Sequence, residues 1–250
     1  HLGVRRQRQM CIRDRDYNVT FKESVTTDYL VVAGGGGGGT GCIDLYANSY
    51  PVAGGGGGGG FLESQRNFDK TKNYTIRVGS GGGTNQNGEN SYIQEYTEED
   101  SVKIIESIGG GKGGNGGHGG NGGSGGGGGV SSSVQSRNGG SAIDNSHGYN
   151  GGRSYYQYLN IGQQFLVGST LTYNNQLTMC GGGGGGAGGS ADNATNWNSS
   201  GNGGVGKASS ITGTQTYYAG GGGAQSGVRY RTWKGYNPAV SYTHLTLPTN

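Results

Sequence analysis

The sequence predicts a mainly β fold in which a small β-layer carries a lattice of polyglycine-II helices, polyproline-II-like in geometry, with little or no α-helix. Three observations predict it. Sixty-two of the 250 residues are glycine and only three are proline, whereas ordinary chains hold about 7% glycine and collagen needs abundant proline. A Gly-Gly-X beat holds between Gly110 and Gly123, with Lys112, Asn115, His118, Asn121 and Ser124 at the X positions. That period matches the three residues per turn of polyproline II, setting every X on one edge and leaving two bare edges for close approach of another segment. Finally, the runs between the glycines are short, rich in Val, Ile, Thr and Tyr, and bounded by Gly, Asn or Ser, which reads as strand.

Taken in order, residues 17–21 (YNVTF) alternate and are β-prone, and residues 27–33 (TDYLVVA) form an apolar run ending in glycines 34–39. Residues 61–68 (FLESQRNF) are the single stretch that suggests a brief helical turn. Residues 73–78 (NYTIRV), 91–96, 102–108, 164–167, 171–173 and 214–219 are further strand candidates. A strand ending in Ala and then a glycine run recurs at Val31, Pro51 and Tyr217, and runs at 125–129 and 181–186 add two more. Polyproline-II helices make no internal hydrogen bonds, so each N–H and C=O must find a neighbouring helix or water. Stability must then come from many lateral pairings together with the β-layer.

Both termini read as foreign to the domain. Residues 5–15 (RRQRQMCIRDR) back-translate to a DNA string whose reverse complement encodes VSYTHLTLPT, the peptide at 240–249. Two unrelated native peptides do not encode one another's complement, and the string resembles a transposon adapter used in sequencing libraries. Residues 1–15 and 240–250 are therefore excluded from fold reasoning as adapter translation. One glycine-rich domain is expected over 16–239. The N-terminal arm holds five arginines against Asp14, a net of +4 in a chain of net +3. The remainder is thus near −1, and the apparent nucleic-acid-binding arm disappears with it.

With 29% hydrophobic residues, a large conventional core is excluded. Disorder is the reading such a composition invites. The strand-like runs, the maintained Gly-Gly-X phase and the 17 tyrosines, one of them in the excluded tail, argue against it. No run approaches the ~20 apolar residues of a membrane-spanning helix.

Motifs that carry chemistry are weak. Residues 201–208 (GNGGVGKA) approach a phosphate-binding loop, but Ala208 stands where the hydroxyl that holds magnesium is needed. His118 and His147 lie in no cluster with metal-ligand spacing, and the acidic run Glu98, Glu99, Asp100 reads as a solvated turn. No catalytic constellation, cofactor or metal site is expected. Cys42 and Cys180 each abut a glycine run. Either they bridge two helices, which implies an oxidising exterior, or they stand as two partly buried thiols.

Between the glycine runs lie segments rich in Tyr, Asn, Ser and Gln, at 42–52, 130–150, 153–180, 191–200 and 224–237. Read as loops, they have the composition of paratopes, in which Tyr gives rigid contact area and Ser, Asn and Gly adapt their hydrogen bonds; read blandly, they are soluble connectors. Tyr46, Tyr50, Tyr149, Tyr155, Tyr156, Tyr158, Tyr173 and Trp197 are the candidate receptor-binding residues.

The blocks YLVVAGGGGGG at Tyr29, GGFLES at Gly59, YTIRVGSGG at Tyr74, GNGGVGKASSITG at Gly201 and TYYAGGGG at Thr216 resemble the glycine-rich domain of bacteriophage tail fibres and receptor-binding adhesins. The resemblance implies a polyglycine-II sandwich with variable loops at its tip. It implies a non-enzymatic virion protein that binds a bacterial surface glycan or outer-membrane protein and assembles with other tail-fibre subunits. Two competing readings are a glycine-rich surface or spacer protein without a specific ligand, and an ice-binding glycine bundle. The last needs a flat face of small residues, and Lys112, Asn115 and His118 make a poor one.

Overall fold

A computed structural model describes residues 16–41, 51–96, 101–131, 135–167, 170–196, 198–225 and 228–229. Its strands are β1 (Asp16–Thr20), β2 (Val25–Val32), β3 (Phe61–Phe68), β4 (Asn73–Arg77), β5 (Ser91–Tyr96), β6 (Ser101–Ser107), β7 (Tyr155–Val167), β8 (Thr170–Cys180), β9 (Lys207–Ser209), β10 (Thr216–Tyr218) and β11 (Val228–Arg229). The described residues contain no helix. The fold is mainly β, in small antiparallel sheets: a four-stranded sheet β1-β4-β5-β6, a three-stranded sheet β11-β8-β7, and the ribbons β2-β3 and β9-β10.

The segment expected to make a helical turn is β3 instead. It pairs along its whole length with β2, from Val25↔Phe68 to Val32↔Phe61. Its two phenylalanines, seven residues apart, suit one helix face, but in a strand that odd spacing sends them to opposite faces. Phe68 joins Tyr74, Ile93 and Ile105, with Tyr29, Val31 and Leu62 packed alongside. Phe61 joins Ala187 and Tyr218, with Leu30 and Val32 alongside. The β2-β3 ribbon is thus the middle of three layers, between the four-stranded sheet and the β9-β10 ribbon. Its β-branched partner strand and the two apolar contacts override the weak helical period of its polar centre.

The glycine runs stack beside this β-layer in a repeating hydrogen-bond pattern. Residues 33, 36 and 39 donate to the carbonyls of 60, 57 and 54, a three-residue period between antiparallel runs. Residues 54, 57 and 60 in turn donate to 114, 111 and 108. The run at 181–186 is the fullest case. Its amides reach, in threefold rotation, the segments holding Gln225 and Gly222, Gly128 and Gly125, and Asp192 and Gly189. Its carbonyls accept from Gly201 and Gly204, Gly55 and Gly58, and Gly152 and Tyr149. Six segments surround it, every amide and carbonyl is used, and every residue is buried. Residues 125–129 are likewise saturated, the last carbonyl taking the Ser154 hydroxyl at 3.1 Å. Here the interior is backbone, and the pairing requirement of buried peptide groups is met between runs rather than within them.

This pairing predicts that the amides of 181–186, outside any helix or sheet, exchange with solvent as slowly as those of β5. Hydrogen exchange read by mass spectrometry checks it, and exchange at loop rates would contradict the lattice.

The Gly-Gly-X stretch does not continue as one helix. Gly116 has φ of 64°, and beyond it the chain reverses, with Gly120 and Gly123 donating back to Lys112 and Gly109. Lys112, Asn115, His118 and Asn121 are exposed as a solvated edge requires, but Ser124 is fully buried. It is the first residue of the next inner run, which donates to Gly58.

Candidate functional site

Hydrogen-bond register fixes which end of the lattice each segment occupies. Residues 33, 60, 108, 187 and 219 share one level, because Ala33 and Ile108 meet Gly60, Ala187 meets Ala219, and Phe61 donates to the His147 carbonyl. From that level the chain passes into or out of β2, β3, β6 and β10, so it is the sheet end. Residues 39, 54, 114, 130 and 181 mark the opposite end. There the lattice leads to the turn at Asn85, the turn at Gly116, residues 131 and 135–136, the β7-β8 hairpin, and residues 193–196 and 198–200. Chain segments that would compete for space in one layer are thereby sorted, with paired strands at one end and mostly polar connections at the other.

The residues expected to be a loop at 153–180 form the β7-β8 hairpin instead, running from Tyr155↔Cys180 to Val167↔Thr170 with a bulge between Asn160 and Gln164. Two short strand candidates fall inside it. They are joined by polar residues such as Asn160, Asn175 and Gln176, which lack strand propensity but pair across the hairpin. Its base is fixed to the lattice by Ser154, whose amide donates to the Arg137 carbonyl at 2.9 Å and whose hydroxyl accepts from the Arg137 amide at 2.7 Å. Beneath it, Val52, Val130 and Met179 form a small apolar plug that closes the loop end, with Tyr156 packed on it.

The candidate tyrosines separate in this frame. Tyr155, Tyr156, Tyr158 and Tyr173 all belong to the hairpin, with Tyr158 opposite Leu177 and Tyr173 opposite Gln164. Tyr155 is half-buried and its hydroxyl donates to the Gln157 side chain. Tyr149 is not a loop residue: its amide donates to Gly186 and its carbonyl accepts from Gly125, so its backbone is lattice, at the sheet end. Its ring is exposed. Tyr46, Tyr50 and Trp197 lie outside the described residues, as do Cys42 and the acidic run Glu98, Glu99, Asp100. Cys180 is fully buried at the close of β8.

Two polar features at or near the loop end were not singled out by sequence. Asp192, Asn193, Thr195, Ser199, Ser200 and Asn202 line an open groove of about 290 Å³. Asn202 donates to the Asp192 carboxylate at 3.0 Å, and the Arg153 amide donates to Asn193 at 2.6 Å. Arg137 approaches His118, its Nη1 lying 3.4 Å from Nε2. A Ser- and Asn-rich composition marked the first segment as a loop, but nothing in sequence brings 118 beside 137.

The phosphate-loop lookalike at 201–208 is part of the lattice. Gly201 and Gly204 donate to Gly181 and Gly184, so those amides are not free to cradle a phosphate, and Lys207 sits over the Phe61 ring at 5.0 Å. Among the described residues, no group of three or more His, Cys, Asp or Glu side chains has the geometry to hold a metal ion. No described helix is long and apolar enough to cross a membrane.

A family profile described as Glycine-rich domain matches residues 13–241. No curated protein matches the chain. No solved structure matches it.

Proposed function

The chain belongs to the Glycine-rich domain family, and from that premise we propose that it is a non-enzymatic adhesin of the phage tail-fibre kind, acting at the virion or cell surface. In this reading the lattice is a polyglycine-II sandwich. The three-residue period of its cross-run hydrogen bonds and its sixfold surroundings support that assignment. The β-layer end joins the chain to other fibre subunits. The loop end meets a glycan or outer-membrane protein of a bacterial surface.

One observation carries the proposal: the lattice sorts the chain so that the tyrosine-bearing hairpin and the Asn- and Ser-rich residues 193–196 and 198–200 emerge at the same end, away from the sheets. A rigid frame that gathers Tyr, Asn and Ser segments at one end is suited to recognition, since the frame bears the ordering cost that binding would otherwise incur. Loops without a ligand would need no such gathering.

The test is binding of the fluorescently labelled protein to a panel of bacterial strains. Tyr155→Ala with Tyr158→Ala leaves the plug residue Tyr156 in place and is expected to lower binding to a responsive strain by at least about tenfold, the loss of one strong aromatic anchor. Binding unchanged after residues 158–175 and 193–200 are replaced by Gly-Ser segments would sink the adhesin reading and leave a spacer.

A further inference from the structure

Charge is distributed unevenly along the lattice axis. Among the described residues Asp192 is the only acid on the loop side; the others, from Asp16 in β1 to Asp144 beside His147, lie at the sheet end. Three cations at the sheet end are answered there. Lys72 pairs with Glu95 at 3.2 Å, Arg77 with Asp16 and Glu89, and Lys103 with Glu106 at 2.7 Å. On the loop side Arg137 and Lys112 have no carboxylate within salt-bridge reach among the described residues.

Arg137 is the most pointed case. Its Nε is buried and makes no hydrogen bond among the described residues. Its Nη1 lies 3.4 Å from His118 Nε2. A guanidinium and an imidazole from different lattice runs thus meet at the rim of the loop end, with no carboxylate within salt-bridge reach of Arg137 among the described residues. Lys112 lies on the other side of the run that starts at Gly119, since Gly120 donates to the Lys112 carbonyl and Gly119 to that of Asn138. A half-buried guanidinium with no carboxylate beside it among the described residues is costly to hold unless an opposite charge is supplied. A planar fork of N–H donors suits an oxyanion of a phosphate or carboxylate above other groups.

We propose that Arg137 and His118, with Lys112 flanking, form a binding site for the oxyanion group of an acidic surface polymer. This rests on the adhesin reading for its biological setting, but the site itself is defined by the residues named. The oxyanion is either a phosphate of a phosphodiester polymer or a carboxylate of a uronic-acid polymer.

The experiment measures binding of the full chain to immobilised inorganic polyphosphate, to a polyuronate and to neutral dextran, at low and at physiological ionic strength. The expected result is binding to one or both polyanions, weakened by salt, and none to dextran. Polyphosphate alone assigns the phosphate source, polyuronate alone the acidic sugar, and either supports the site. Arg137→Gln is expected to weaken binding about tenfold, as loss of a charge-assisted hydrogen-bond donor does. Arg137→Lys, which keeps the charge without the fork, is expected to fall between. Lys22→Gln and Lys70→Gln at the sheet end are expected to change nothing. If Arg137→Gln lowers the melting temperature, the decision passes to His118→Asn and Lys112→Gln, exposed positions that are expected to weaken binding while melting as the parent does. The site is overturned by binding no stronger than to dextran, by an unchanged affinity in the folded loop-end variants, or by an equal loss from the sheet-end substitutions. Failure of this site with strain binding intact would leave the adhesin reading standing on the hairpin.

Discussion

Gly184→Ala is expected to abolish the cooperative fold, although it adds one methyl group. A Cβ at position 184 would stand 2.0 Å from the Gly56 carbonyl oxygen and 2.4 Å from its carbon. Overpacking a core of side chains costs roughly 1–3 kcal/mol because rotamers and helices shift to make room. Here the obstacle is backbone, and that backbone is held by its own lateral bonds: Gly56 accepts from Gly222, and Gly55 and Gly57 donate to Gly182 and Gly111. Moving one run misaligns several others, so a loss beyond about 4 kcal/mol is expected, in the range that marks a specific structural failure. Gly223→Ala is the control. Nothing lies within 4 Å of its Cβ position, and the substitution is expected to be neutral or to stabilise by up to about 1 kcal/mol through the unfolded chain. Thermal unfolding followed by circular dichroism checks both. Equal melting of the two variants would mean that the runs are not packed as described.

Phe68→Ala is expected to cost about 3–5 kcal/mol, as deletion of a buried aromatic ring does. Phe68 stacks on Phe21 with ring centroids 5.1 Å apart and meets Tyr74 edge-on at 5.2 Å. It is the buried aromatic ring that the β2-β3 ribbon packs on the four-stranded sheet, where Tyr29, Val31 and Leu62 are only partly buried. Tyr217→Ala, at a ring that is 69% exposed, is expected to stay within about 0.5 kcal/mol of the parent. Chemical denaturation of the two variants separates them, and a Phe68 loss no larger than that of Tyr217 would refute the three-layer assignment.

Much of the fold was legible because strand formation here follows local composition. Residues 91–96 were read as the strand that β5 is, and the candidates at 17–21, 73–78 and 102–108 differ from β1, β4 and β6 only at the ends. Residues 61–68 suggest a helical turn because two phenylalanines seven apart satisfy a helical period, while their true faces depend on pairing with β2, which is remote in sequence. The hairpin was misread because cross-strand pairing recruited asparagines and glutamines whose propensity is low. The reversal at Gly116 was invisible for a different reason: a Gly-Gly-X beat is unchanged by a turn placed between two of its periods. The His118–Arg137 pair depends on lattice neighbours brought together by that turn, so no linear spacing announces it.

The inner runs of the lattice are chemically uniform, and this has a consequence for how such a domain holds its alignment. Sliding a run of glycines by three residues along its neighbours would regenerate the same kinds of bond, so the hydrogen-bond pattern is degenerate with respect to that slip. What breaks the degeneracy is the larger residues at each terminus of a run: Val52 and Val130, paired through both backbone bonds at 2.7 and 3.0 Å, and Phe61, wedged against Ala187 and Tyr218. The glycines act as track and these side chains as stops. Such a domain can change length in increments of three without disturbing its cross-section, whereas increments of one or two rotate every donor toward the wrong neighbour.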